Sequence, residues 1–372
     1  MKKTLLIDTV LSPYAITRFN AIKDKIDGEF HVWFQSFTDI NRKWTSFPKM
    51  NFEHDFLRNV PLRLKWKDIF TFNINYEYPK KIKKLNPDHI IILWWDSFTS
   101  LYSVIWAKKN RKRLTLWSGS TKFEKSWKRI ITLPYVKWLI KSCDDYISYW
   151  TRATEYLISL WAEKSKIQEF YNTVDVEYFT DKSDKYKKNK EIIKWELWIS
   201  TKYVLMFNGQ LIERKWIWEM IDGYDRFQKE KVDISLIIVG SGQEEEKLKK
   251  YIENNEIKNV HFTWFVQFDE LPKFYAISDI FTLPSREEVW WLVINEAMSF
   301  WLPIITSFRV WASVDLVKEL KNWYIMKENT INEFYNWLKF IFNNNLINKN
   351  KSIEIIKQFS IKKILENINF NF

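Results

Sequence analysis

Short apolar runs alternate with helical stretches along the whole chain. In the first half the runs are KTLLIDTV, EFHVWFQ, HIIILW, RLTLW and DDYISY. In the second half they are YVLMFNG, ISLIIVGSG, NVHFTWF, DIFTLPS and LPIITS. Each is continuously apolar rather than alternating, the pattern of strands buried on both faces of a parallel sheet. The helical stretches between them predict βαβ units and doubly wound α/β sheets. Two sets of strands predict two such domains, and 372 residues suit two at roughly 100–200 residues each.

The polar stretch DKSDKYKKNKEI at 181–192 has no apolar period and reads as the connection between domains. The expected layout is a first Rossmann-like domain over 1–178, then a linker and the start of the second domain over 179–200. The second domain spans 201–345, and a C-terminal helix over 346–372 packs back on the first. Two such domains facing across a cleft place their strand carboxyl ends where open α/β folds bind ligands.

Composition narrows the class. Apolar content of 46% and charged content of 28% fit a soluble globular protein. The single cysteine, Cys143, excludes a disulfide framework and suits a reducing cytoplasm. The start, MKKTLLIDTVLSPYAITRF, has an apolar run cut short by Asp8, and reads as a first strand rather than a secretion signal. HIIILWW is far too short to cross a bilayer. A net charge of +12 is spread along the chain, with no basic tail, zinc-ligand cluster or RNA-recognition signature. Nucleic acid is therefore not expected, whereas an anionic membrane surface or a phosphorylated substrate is compatible with the charge. The expected location is the cytoplasm, with a peripheral place at the inner face of the membrane.

Glycine and tryptophan are both abnormal. There are six Gly and 22 Trp. Together they make about 7.5% of the chain, close to the usual glycine share of ~7%. The chain is also rich in Lys, Asn, Ile and Phe, as an AT-rich gene encodes. Many of the tryptophans are therefore expected to be UGA codons that the source organism reads as glycine. Position discriminates, because glycine is needed where φ is positive or backbones approach closely. Trp161 and Trp301 each follow a helical stretch at the glycine-favouring C′ position, and Pro303 lies just past the second. Trp323 makes Asn-Trp where Asn-Gly would signal a turn. Trp264 ends a strand, and Trp216, Trp291 and Trp311 precede helices. Trp150 follows the strand DDYISY. By contrast, Trp33, Trp44, Trp117, Trp290 and Trp337 sit among apolar or aromatic neighbours and read as true tryptophans. Trp66, Trp94, Trp95, Trp106, Trp127, Trp138, Trp195, Trp198 and Trp218 are not sorted by this criterion.

With those tryptophans read as glycine, FNGQLIERKW, VGSGQEEEKLKKYI and the segment from FTWFVQFDE to LPIITS resemble glycosyltransferase family 4. LSPYAITRFNAI, TLWSGST and YNTVDVEYF in the first half are similar to members of that family too. The resemblance covers nearly the whole chain and is strongest over 203–312. It implies the GT-B fold and a retaining hexosyltransferase that uses a nucleotide-sugar donor and no metal. It also implies a glycan or lipid-linked acceptor in cell-surface polysaccharide or glycolipid synthesis. Competing readings are a GT-B phosphorylase or epimerase, and a non-catalytic, Trp-rich binding protein.

The resemblance assigns roles residue by residue. Glu288 and Glu296 look like the family's Glu pair, the first contacting the donor sugar and the second the ribose hydroxyls. A loop-to-helix junction between them offers free N–H groups at Trp291, Leu292 and Val293 to a phosphate or sugar. Arg214 and Lys215 would neutralise the donor diphosphate and the charge developing on the leaving group. Gly209, Gly240 and Gly242 form Gly-rich strand-to-helix turns, and Val266 lies where the family sets main chain against the base. Gln210 departs from the family's frequent Arg, which puts that phosphate contact in doubt. None of the four histidines, His31, His54, His89 and His261, falls where the family's first-domain histidine belongs. Asp96 and Ser118, each ending a strand, are the acceptor-side candidates instead. The segment EKSWKRIITLPYVKWLIKS at 124–142 mixes basic and large apolar residues, as a core helix or a membrane-surface helix does.

Overall fold

The computed structural model describes residues 1–372 except 38–43, 66–68, 96, 123–126, 289–291, 311–312, 317–322, 349–350 and 371–372. The chain forms two α/β units. The first comprises Met1–Asn172 with Ile361–Phe372, and the second Thr173–Ser360.

The first unit contains strands β1 (Lys3–Val10), β2 (Glu29–Ser36), β3 (Glu53–Phe56), β4 (Val60–Lys65), β5 (Ile69–Ile74), β6 (His89–Leu93), β7 (Arg113–Ser118), β8 (Asp145–Ser148) and β9 (Ile167–Glu169). Its main sheet is ordered β3-β2-β1-β6-β7-β8-β9, with every neighbouring pair parallel. β4 and β5 make a separate antiparallel hairpin. Leu5, Ile7, Ile90, Ile92, Leu114 and Leu116 are wholly buried, as both-face coverage of a parallel sheet requires.

The second unit contains β10 (Tyr203–Asn208), β11 (Ile234–Val239), β12 (Val260–Phe262), β13 (Ile280–Leu283), β14 (Ile304–Ser307) and β15 (Trp323–Met326). The order is β12-β11-β10-β13-β14-β15, again all parallel. In rank this is 3-2-1-4-5-6, the doubly wound dinucleotide-binding topology. Its direction of winding reverses between β10 and β13. The expectation of two Rossmann-like doubly wound units therefore holds.

Two expectations about the layout need correction. The stretch read as a linker is helical, forming Val176–Lys187 and Lys190–Glu196. Its burial is sparse, with Val176, Phe179 and Ile193 turned inward, so its lysines hid the apolar face. Lys187 donates to the Phe300 carbonyl and Lys190 pairs with Asp279, which fastens both helices within the second unit. The C-terminal segment is also divided. Residues 346–360 stay with the second unit, and only 361–372 return to the first.

Among the described residues, six tryptophans adopt left-handed backbone conformation: Trp94, Trp161, Trp198, Trp216, Trp264 and Trp301. Three of them close helices in one way. The N–H of the residue after Trp161, Trp198 and Trp301 reaches back five residues, from Ala162 to Leu157, Ile199 to Lys194 and Leu302 to Ala297. This is the Schellman closure, with tryptophan at the position glycine favours. Arg111 and Glu256 close their helices similarly. Trp150 differs from expectation, since its φ of −168° is extended backbone open to any residue. Trp323 lies in β15 rather than in a turn. Trp290, Trp291 and Trp311 lie outside the described residues. Trp33 and Trp117 are buried, and Trp44 and Trp337 pack on aromatic rings, as true tryptophans do.

Left-handed backbone costs a non-glycine residue about 1–2 kcal/mol. Trp198 is 89% exposed, so its ring returns little of that. Trp198→Gly is expected to stabilise by about 0.5–1 kcal/mol, after allowing for glycine's freedom in the unfolded chain. Trp117→Ala should cost about 3–5 kcal/mol as a core truncation. Urea denaturation checks both, and a Trp198→Gly protein weaker than the parent would contradict the first.

Candidate active site in the second unit

The reversal point between β10 and β13 is where open α/β sheets leave a crevice at their carboxyl edge. Past β10, the loop Gly209–Leu211 runs beside the loop after β11. Gly209 N donates to Val239 O at 3.0 Å, Leu211 N to Ser241 O at 3.1 Å, and Glu244 N to Leu211 O at 3.0 Å. A Cβ on Gly240, whose φ is +129°, would lie 2.0 Å from Gly209 O, and one on Gly242 2.3 Å from Leu211 O. Both glycines are therefore required by backbone meeting backbone. Gly209 is not so constrained, since its Cβ would meet Phe207 at 3.4 Å.

A 3-10 turn, Glu213–Lys215, follows, and Trp216 then takes φ 59° and ψ 38° to start the helix Ile217–Gln228. That left-handed residue redirects the chain while Lys215 turns inward and Arg214 stays half exposed. The loop after β13 is tied to this turn by Arg286 N donating to Arg214 O at 2.8 Å. It is also held by Ser307 Oγ on Ser285 O at 2.6 Å and Asn329 Nδ2 on Pro284 O at 2.9 Å.

These supports bring three predicted residues together. Lys215 Nζ contacts Glu288 Oε2 directly, and both side chains are more than nine-tenths buried. Arg214 Nη1 lies 3.6 Å from Glu288 Oε1, and Ser285 Oγ is 3.4 Å from Oε2. Burial, reinforced by the neighbouring Arg214, pushes the Lys215 ammonium down to about 7, while the Glu288 carboxylate pulls the other way.

Glu296 sits on the helix Leu292–Ser299 and is fully buried. Tyr275 OH donates to its Oε2 at 2.6 Å, and Asn208 Nδ2 donates to Tyr275 OH at 2.9 Å. Sequence reasoning missed Asn208, Tyr275 and Ser285. A polar residue closing the apolar run YVLMFN was a usable signal for Asn208; Tyr275 looked like an ordinary core aromatic.

The remaining candidates are more scattered. Leu292 and Val293 begin that helix, half-buried. Gln210 and Gly242 are exposed, and half-buried Val266 follows β12. Trp291 and Asp96 lie outside the described residues. Ser118, in the first unit, ends β7 fully buried, and its Oγ accepts from Ser120 N at 3.3 Å. His89 is buried in β6, Nε2 lies 2.8 Å from Thr115 Oγ1, and burial lowers its pKa to about 3. Among the described residues no group of three or more His, Cys, Asp or Glu could hold a metal ion, and no helix is long and apolar enough to cross a membrane.

Residues 188–358, most of the second unit, match the family model described as glycosyl transferases group 1. An uncharacterized glycosyltransferase of Haemophilus influenzae is 27% identical over 315 residues, covering 83% of this chain and 82% of that protein. Alpha-monoglucosyldiacylglycerol synthase of Acholeplasma laidlawii is 27% identical over 107 residues, 28% of this chain and 27% of that one. Anabaena HepE, solved with UDP and glucose, superposes with a TM-score of 0.72 at 14% identity over 98% of each chain. The fold is thus that of GT-B glycosyltransferases.

Proposed function

We propose that the chain is a retaining, metal-independent glycosyltransferase of family 4. It moves a hexosyl group from a nucleotide-sugar to a glycan or lipid-linked acceptor, for cell-surface polysaccharide or glycolipid synthesis. The observation that carries this reading is the buried contact of Lys215 with Glu288 at the sheet's reversal point, beside Arg214. HepE's capture of UDP and glucose supports a nucleotide-sugar donor, and the name of the Acholeplasma relative supports a lipid-linked acceptor.

In this reading the donor diphosphate draws Lys215 away from Glu288. Lys215 and Arg214 then bind phosphate oxygens, with the N–H groups at Leu292 and Val293 alongside. Glu288, released, accepts from sugar hydroxyls, and Glu296 from the ribose. The anomeric C–O bond to the diphosphate breaks as the acceptor oxygen bonds to the same face. The acceptor's proton passes to the departing phosphate oxygen. The two cations offset the negative charge that builds there, a role a metal ion plays elsewhere.

Lys215→Ala and Glu296→Ala should each lower kcat/KM by roughly 10²–10³-fold, with the donor's anomeric configuration kept in the product by NMR. Full activity in both variants would refute the assignment. The pH course follows from Lys215, whose pKa is depressed to about 7 in the free site. A bound diphosphate raises it, so donor affinity is full below about pH 7 and falls as pH rises, by up to tenfold per unit. Calorimetry with UDP-glucose and GDP-mannose reads this; a flat wild-type profile from pH 6 to 9 contradicts it.

We also propose that the left-handed tryptophans are glycine in the native protein, through UGA read as glycine. Six such residues among those described motivate this. The gene should carry UGA at 161, 198, 216 and 301, and mass spectrometry of the native protein should read glycine there. UGG codons would end the idea.

A peripheral place on the cytoplasmic membrane face is supported by the helix Trp127–Ser142. It exposes Ile131 and Trp138 beside Lys137 and Lys141. The full chain should sediment with phosphatidylglycerol vesicles at low salt and be released at high salt; no binding at low salt rejects this.

A further inference from the structure

The geometry points to Tyr275 as a positioning residue that sets the rotamer of Glu296 from the end of β10. This rests on the donor-site reading above and adds a residue to it. The phenol has one proton to give, and the two bonds fix where it goes. Asn208 Nδ2 is a donor only, so at 2.9 Å it claims a lone pair of the Tyr275 oxygen. The phenolic hydrogen is left to the carboxylate, and its 2.6 Å distance to Glu296 Oε2 is that of a charge-assisted bond. Val293 O, at 3.3 Å, is the weaker neighbour.

The tyrosine cannot swing out of this role. It is fully buried, its ring stacks on Phe300 at 5.6 Å and 29°, and Phe281 lies 5.9 Å away. Asn208 is the last residue of β10 and directly precedes Gly209. The relay therefore couples the carboxylate to the same loop that leads to Lys215. A glutamate on a helix has three rotatable bonds, and this relay selects one arrangement of them. The consequence is specific. Tyr275 affects donor binding only through the groups that Glu296 reads, the ribose hydroxyls.

The test measures binding of UDP and GDP, and of their 2′,3′-dideoxy counterparts, to the full chain and to Tyr275→Phe, Glu296→Gln and the double variant. Tyr275→Phe keeps the ring and its packing. It is expected to weaken the hydroxyl-bearing nucleotide about 5–20-fold, in line with loss of a bond to a charged group. The dideoxy counterpart should move less than twofold, and the double variant should be no weaker than Glu296→Gln. Asn208→Leu, which leaves Glu296 and Tyr275 in place, should give a smaller loss with the same selectivity. Equal weakening of both nucleotides by Tyr275→Phe, additive losses in the double variant, or no loss at all would overturn the role. If the unsubstituted chain binds neither UDP nor GDP, the donor-site reading falls and the relay with it. A chain that binds UDP or GDP yet shows no selective loss keeps that reading and sinks the relay alone.

Discussion

A buried ammonium against a buried carboxylate is the contact around which the second unit's site is arranged. Taking both charges out of water is expensive, and attraction between them returns the cost only with good geometry and added hydrogen bonds. The structure supplies those supports from three places. Arg214 and Ser285 approach the carboxylate, and the Arg286 N–H locks the two loops at a fixed separation. An apolar pair would stabilise this corner as well or better. What an apolar pair lacks is an exchangeable partner. In the proposed donor site the lysine would trade one anion for another, so the resting pair would match the liganded state in its charge balance.

That corner depends on how closely main chain meets main chain. Gly240 and Gly242 let two loops run side by side with no room for a Cβ. Trp216 reverses the chain just after Lys215 through a left-handed conformation, and its own ring is buried. The glycines and this tryptophan solve the same geometric problem with opposite side chains. At Trp161, Trp264 and Trp301 the rings lie flat under lysines instead, with ammonium groups 4.2–4.5 Å from the ring centres. Such contacts return part of the conformational strain, but they do not account for why tryptophan stands there.

Much of this was legible in the sequence because buried parallel strands announce themselves. HIIILW and YVLMFNG need no partner to be read as core strands. Edge strands were harder: EHDF and IQE are short and polar, and only pairing on one side makes them strands. The helices over 176–196 were missed because their lysine content outweighed a narrow apolar face. Lys215, Glu288 and Glu296 were visible through a family resemblance, not through spacing. Tyr275 was not, since its hydroxyl acquires meaning only from Asn208, which precedes it by 67 residues, and Glu296, 21 residues beyond. The glycines show the converse. Their presence was legible, but their first task turned out to be packing loop on loop.

The first unit is discontinuous, and this orders its assembly in time. Phe370 is buried beside Trp117 and Phe170, and Asn369 exchanges two hydrogen bonds with the side chain of Gln168. Those late residues leave the ribosome only after all of Thr173–Ser360 has been made. At about 5–20 residues per second, the slot around Trp117 stands open for roughly 10–40 s. The unit that is begun before the second is thus finished after it. Without residues 361–372 the second unit keeps every residue of its own, while the first shows the core around Trp117 to water.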